Sequence, residues 1–312
     1  MTTGKDSQLG FAPESTWNTR VAPTAYVRAR SFNVKAERAL MEDEAIIAGR
    51  KIADEAQVAE GDWTISGDIS VPLFIAGVDT FLDAMIGAEQ GGAGTDGDPY
   101  LWNYGSAELG SMSIQQGLGG TDGTVHPVDF TGCKVDSWSV GVQAGNKATL
   151  DLSVIGGGAS EGETLGTASY SRPKVYTYAH STVTIGGASR KVKSATISGN
   201  NNLTGDSRRF LGSRYIDEPL HSSDVELMAE LTVEFEDLTD YDSYRATSFD
   251  IVTIVLAMVN GDDDLTFTMK GHVVSPPLPD INTKGPLEYP ISVKAYGTAT
   301  DLDAFKVERV NA

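Results

Sequence analysis

Two stretches of the chain alternate apolar and polar residues at period two. The first carries Trp63, Ile65, Gly67, Ile69, Val71 and Leu73. The second carries Val225, Leu227, Ala229, Leu231, Val233 and Phe235, at an offset of 162 from Trp63 to Val225. This period predicts long antiparallel strands with one buried and one wet face. Upstream, Ser31-Phe-Asn-Val-Lys-Ala is similar to Ser194-Ala-Thr-Ile-Ser-Gly at an offset of 163 from Ser31 to Ser194. Each half then carries a long loop, with Gly49-Arg50 in one and Gly212-Ser213-Arg214 in the other. Downstream, Leu150, Leu152, Val154 and Gly156 answer Ile291, Val293, Ala295 and Gly297. The order of elements predicts a tandem duplication.

Ile75, Val78, Leu82, Met85 and Ile86 recur at helical spacing and Gly87 offers a stop, which predicts a helix. Asp237 to Ser248 predicts a shorter, polar helix at the equivalent place. Gly91 to Asp98 reads as a flexible loop, and Gly156 to Thr167 as the joint between halves. Further strands are expected at Ser111–Gln116, Val128–Val142, Ala148–Ile155, Lys174–Ile185, Ile251–Asn260, Leu265–Val274, Tyr289–Tyr296 and Phe305–Val310. The run Ile251 to Val259 is nearly continuous and is expected to be buried on both faces. The expected class is mainly β: two tandem β-sandwich or half-barrel modules, each with a flanking helix. Residues 1–30 are expected to form an N-terminal arm, 31–165 the first module and 166–312 the second.

Length and composition support a packed core: 312 residues, 40% hydrophobic and 21% charged. The single Cys133 cannot form an internal disulfide and reads as a buried thiol. The polar opening Met1–Gly10 lacks the basic-then-apolar pattern of a signal peptide, and no apolar run approaches the length of a membrane span. Synthesis in a cytoplasm, with no membrane partner, is the expectation. Net charge is −19, from 43 acids against 24 bases. Such a surface repels phosphate and argues against tight nucleic-acid binding, though DNA could still pass without adhering.

Motifs for chemistry are sparse. His126, His180, His221 and His272 show no metal-ligand spacing. Gly117-Leu-Gly-Gly120 lacks the lysine ending of a phosphate loop, and no nucleophile elbow occurs. Glu42-Asp43-Glu44 and Asp262-Asp-Asp264 lack calcium-loop spacing and read as solvated turns. No cofactor, metal or catalytic residue is expected. More informative are Glu226, Glu230, Glu234 and Glu236, which alternation places on one face of the second-half strand. Like charges about 7 Å apart repel, so that face should meet water. Its first-half counterpart, Thr64, Ser66, Asp68 and Ser70, is milder. A solvated outer face and the wall of a wet channel both fit.

The segments Leu9 to Pro23, Phe32-Asn-Val-Lys-Ala-Glu37, Ala48-Gly-Arg50, Gly61 to Val71, Gly132-Cys-Lys-Val-Asp-Ser137, Ile197 to Leu203, Leu211-Gly-Ser-Arg214 and Phe305 to Arg309 together resemble the phage tail tube protein family of siphovirus-type tails. The likeness lies in their order, and Trp63 stands where that family has an aliphatic residue. The resemblance implies a non-enzymatic structural subunit of the virion tail. Its rings would stack into a hollow tube around a tape-measure protein, contact tail terminator and baseplate or tip proteins, and conduct DNA during ejection. Two tandem modules would make three chains a pseudo-sixfold trimer; without a true duplication, a hexamer of whole chains is expected. The loops Ala39–Gly61 and Asn200–Ser223 would contact the next ring through Ile46, Ile47, Arg50, Phe210, Leu211, Arg214 and Tyr215. Asp68, Glu226, Glu230, Glu234 and Glu236 would face the lumen. Phe11 and Trp17 would anchor the arm to a partner. Two alternatives are a tube protein of a contractile injection or secretion system, and a carbohydrate-binding or hydrolytic β-sandwich.

Overall fold

A computed structural model describes residues 4–43, 51–52, 55–74, 77–104, 108–170, 174–245, 251–261, 263–281, 284–297 and 304–311. In the first half the strands are β1 (Gln8–Pro13), β2 (Ala25–Tyr26), β3 (Ser31–Phe32), β4 (Lys35–Glu42), β5 (Val58–Pro72), β6 (Tyr100–Asn103), β7 (Met112–Gly119), β8 (Val125–Gln143), β9 (Thr149–Gly156) and β10 (Gly158–Glu161). In the second half they are β11 (Ser181–Ile185), β12 (Ala188–Ser189), β13 (Val192–Asn200), β14 (Leu203–Thr204), β15 (Leu220–His221), β16 (Glu226–Glu234), β17 (Val252–Asn260), β18 (Asp263–Val273), β19 (Glu288–Ala295) and β20 (Phe305–Val310). Helix α1 spans Asp79–Ile86 and α2 spans Thr239–Arg245. The chain is mainly β, as expected, and every named ladder is antiparallel.

The same ladders occur in both halves. In the first, β1 pairs with β7, β7 with β8, β8 with β9 and β10, β9 with β5, and β5 with β3 and β4. In the second, β11 pairs with β17, β17 with β18, β18 with β19 and β20, β19 with β16, and β16 with β13. Registers agree as well. Ser31 lies opposite Ser70, and Ser194 opposite Thr232, which reproduces the offsets of 163 and 162 seen in the sequence. Asp68 faces Ser153 as Glu230 faces Ser292.

The halves join through β8 and β13, where Ser137 to Gln143 pairs with Ser194 to Asn200, and through β6 and β20, where Tyr100 to Asn103 pairs with Lys306 to Arg309. One sheet therefore runs β4, β5, β9, β8, β13, β16, β19, β18 without a break. The N-terminal part of β8 pairs instead with β7 and β10, and a bulge between Val135 and Ser137 marks the change of layer.

Alternation decides which face is dry. Ile65, Ile69 and Val71 on β5, Leu73 just after it, and Leu227, Ala229, Leu231 and Val233 on β16 are buried. Two glycines permit close approach. A Cβ on Gly67 would lie 2.5 Å from Val34 Cα, and one on Gly199 would lie 2.4 Å from the Trp138 ring. Helix α1 buries Phe81, Leu82, Ala84, Met85 and Ile86 beneath the first half, and Gly87 ends it at φ 119°.

Several expectations need correction. The N-terminal arm packs into the first half: its residues Leu9, Phe11 and Ala12 are buried in β1, between β2 and β7. The stretch from Gly156 is not only a joint, because β10 returns to pair with β8. Strand β17 is not dry on both faces: Ile254, Leu256 and Met258 are buried, whereas Val259 is 46% exposed. Loop Ala39–Gly61 is shortened by β4 and β5, which extend into it.

Candidate functional site

The open face of the long sheet gathers the polar side of every strand. Registers align its residues in rows across both halves. One row runs Asp68, Ser153, Ser137, Asn200, Glu226. The next runs Ser70, Asp151, Ser139, Ser198, Met228, Lys294. A third carries Thr196, Glu230 and Ser292. The middle is rich in hydroxyls, and the carboxylates concentrate towards β16. A shallow open groove of about 430 Å³ crosses the β8–β13 joint, lined by Asp68, Ser139, Asp151, Asn200 and Glu226 among others.

Of the acids expected on this face, Asp68, Glu226, Glu230 and Glu234 lie on it, the first three exposed and Glu234 half-buried. Glu226 accepts from Lys294 at 2.8 Å, and this bond raises the Lys294 ammonium above its ordinary pKa. Glu236 departs from expectation. It follows the end of β16 and pairs with Arg190 at 3.5 Å, beside the Arg190–Asp240 bridge at 3.0 Å. Strand alternation stops at Glu234, so it cannot hold Glu236 on the same face.

The expected contact loops divide in the same way. Ile46, Ile47 and Arg50 lie outside the described residues. Phe210 is 54% exposed and Leu211 fully so, with the Arg208 guanidinium 5.3 Å from the Phe210 ring centre. Arg214 and Tyr215 turn back onto the first half. Arg214 pairs with Glu60, and Tyr215 stacks on Trp63 with ring centres 6.3 Å apart. Arg38 also donates to Glu60 at 2.8 Å, and these bonds hold the Glu60 carboxyl below its ordinary pKa, the Arg38 bond contributing most. Trp63 is therefore the platform on which the second-half loop rests. Buried Lys134 secures the loop base, donating to Glu218 at 2.7 Å and to the Pro219 carbonyl at 3.4 Å.

Neither proposed arm anchor is free. Phe11 is 1% exposed and packs edge-on against Phe81. Trp17 covers Gly132 and Gly157, where added Cβ atoms would fall within 2.9 and 2.4 Å of its ring. Sequence reasoning missed Glu14, which fastens this segment. Its carboxylate accepts from Ser111 and Ser113 hydroxyls at 2.8 and 2.7 Å and from the Asn18 and Gly132 amides at 2.9 Å each. One acid among 43 carries no such mark in the sequence; the apolar run Leu9-Gly-Phe-Ala was the available sign of a buried strand.

Among the described residues, the remaining polar groups do not converge on a reacting centre. Thr124 and Asp122 lie 3.4 and 2.9 Å from His126 on an exposed turn. There the Thr124 hydroxyl and amide lead in holding Asp122 down at about 2. Cys133 is fully buried and burial pushes its thiol up, away from reactivity. Among the described residues no three His, Cys, Asp or Glu side chains gather as a metal site. No described helix is long and apolar enough to cross a membrane.

The described residues thus form an extended antiparallel sheet with one polar face and exposed loops. The chain matches the family described as phage tail tube protein over residues 4–295, nearly its whole length, and belongs to that family. The family is structural and non-enzymatic, so this is a structural protein of the phage tail that assembles with itself and other tail proteins in the virion. No curated protein matches the chain.

Proposed function

We propose that the chain is a tandem duplication whose residues 31–165 and 166–312 are two tube modules, that three copies close into a pseudo-sixfold ring, and that rings stack into the tube. The observation that carries this is the recurrence of every principal ladder in both halves, joined edge to edge through β8 and β13. One joint within a chain exemplifies how modules can follow one another around a ring. The eight strands of the long sheet set the size. At about 4.8 Å per strand, three chains would close a wall about 40 Å across between backbones, and six chains about 75 Å. The smaller bore suits a duplex or a tape-measure protein; the larger would leave it loose.

The open face of hydroxyls and carboxylates lines the lumen in this reading. Acids repel phosphate, short hydroxyls offer no cation, and the Lys294 ammonium in the second row is paired with Glu226, so DNA slides without adhering during ejection. Phe210 and Leu211 project towards the next ring, and Ile46, Ile47 and Arg50 act in the matching loop. Tube ends meet the terminator and the baseplate or tip proteins. Assembly takes place in the host cytoplasm around the tape measure. The duplicated ladders favour this over the tube of a contractile system.

Negative-stain microscopy of the purified protein tests the reading. Hollow rings or tubes are expected; a monodisperse monomer that binds a glycan would refute it. In phage particles, Glu230→Lys with Glu234→Lys is expected to leave tubes intact and hinder ejection. Normal ejection would remove the acids from the lumen.

A further inference from the structure

Both halves carry a cation at the same place in the ladder, but only one half neutralises it. Arg30 precedes Ser31, which lies opposite Ser70, and Lys193 precedes Ser194, which lies opposite Thr232. Two residues further along, the second half pairs Glu234 with Glu288, and Lys193 forms an ion pair with that Glu288. Arg190 is satisfied in the same way, by Glu236 at 3.5 Å and Asp240 at 3.0 Å. The first half pairs Pro72 with Thr149 at the matching rung. Neither carboxylate has a counterpart there, whereas the cation does. Arg30 and Lys147 are exposed, and neither forms an ion pair with another described residue. Instead they line an open recess of about 800 Å³, together with Gln143, Thr149, Ser194 and Thr196. Among the described residues no carboxylate lines it. Thr196 belongs to the third row of the polar face, so the recess opens at one end of that face.

We propose that this recess binds a phosphate group, held between Arg30 and Lys147. The second half shows what the position accommodates, because there an oxyanion of the chain itself, the Glu288 carboxylate, meets the equivalent cation. A guanidinium fork matches two oxygens of a phosphate, and an ammonium adds a compact charge. The hydroxyls of Thr149, Ser194 and Thr196 can donate to the oxygens that remain. A carboxylate has only two oxygens and would leave such donors unused. Acids border the recess: Glu230 lies opposite Thr196, and Asp151 stands two residues beyond Thr149 on β9. They repel phosphate, so binding is weak, about millimolar, and falls with salt. The phosphate can come from solution or from a DNA backbone. The site itself does not depend on the ring reading; a DNA source does, since the lumen would bring a duplex past it. One weak contact per chain, between rows of acids, leaves that duplex free to slide.

Two titrations of the full chain test the site, each against chloride at matched ionic strength. Phosphorus NMR line broadening of inorganic phosphate reads the first source, and anisotropy of a labelled DNA duplex at low salt reads the second. The unmutated chain is expected to bind phosphate. Arg30→Gln should weaken this about tenfold and Lys147→Gln about threefold. Thr149→Glu puts a carboxylate where Glu288 stands in the second half, and should abolish binding with both cations still in place. Lys193→Gln, whose cation already has its partner, should change nothing. Thermal unfolding of each variant confirms that it is folded. If duplex binding weakens in the same order, the DNA backbone is a source; if only phosphate does, the source is the free ion. Either pattern supports the site. No broadening, or broadening that survives both Arg30→Gln and Thr149→Glu, overturns it. Rings seen by microscopy would then leave the tube reading standing.

Discussion

Ser66, Asp68 and Ser70 on β5 occupy the rungs that Met228, Glu230 and Thr232 occupy on β16, with the same ladder partners in position. On the dry side of the same rungs, Ile65, Ile69 and Val71 correspond to Leu227, Leu231 and Val233, all buried. The dry side keeps its character because close packing penalises any change of volume or polarity. The wet side is free to differ, and the second half is the more acidic. A ring of such chains would have sixfold backbone and threefold charge. The helices differ in the same sense: α1 buries five side chains, whereas α2 is polar and carries Tyr244 at 39% exposure.

Substitutions can break that comparison, beginning with the core. Trp138 is 3% exposed at the joint, packs on Gly199 and Phe305, and donates to the Tyr104 hydroxyl at 2.9 Å. Trp138→Ala is expected to cost about 3–5 kcal/mol in denaturant unfolding. Phe81→Ala in α1 should cost a similar amount, and Tyr244→Ala in α2 no more than about 0.5 kcal/mol. Equal losses in the two helices would contradict the asymmetry.

Gly199→Ala forces a methyl against the Trp138 ring and should cost about 1–3 kcal/mol. An unchanged midpoint would mean that the joint is loosely packed. A smaller effect belongs to the Glu60 clamp, where Arg38 and then Arg214 hold the carboxyl low. A depressed carboxyl stabilises above its unfolded value, and that stability is lost as pH falls through the folded one. The protection factors of amides in residues 205–219, corrected for the intrinsic slowing of exchange in acid, should therefore hold above about pH 5 and fall as pH drops below about 4. Glu60→Gln should remove this pH dependence. Least affected is Glu230→Gln, on an exposed rung, which should shift stability by no more than about 0.5 kcal/mol. A large loss there would mean that the face is packed against something within the chain.

Period-two alternation made β5, β16 and β19 legible in the sequence, because one wet and one dry face leave that signature in residue type. Phe305–Val310 forms a strand with the expected bounds. Helix α1 was legible from apolar spacing, and it begins at Asp79, later than the apolar residues alone suggest. What escaped notice depends on partners distant in sequence. Glu14 acquires its role only when β7 and β8 bring Ser111, Ser113 and Gly132 to it. Strand β1 is short, and its apolar run is interrupted by Gly10. Arg214 and Tyr215 look like a free loop tip until Glu60 and Trp63 are placed beneath them. The β8–β13 joint carries no local pattern, since both of its strands alternate like any others.

The central proposal is that the two halves are modules and that modules follow one another around a ring through joints like that of β8 and β13. End-on cryo-electron microscopy of assembled tubes addresses it most directly. The account predicts three chains per ring, with six similar wall segments around a bore near 40 Å between backbones. Six whole chains per ring, or a wall in which the β8–β13 joint is opened, would contradict it.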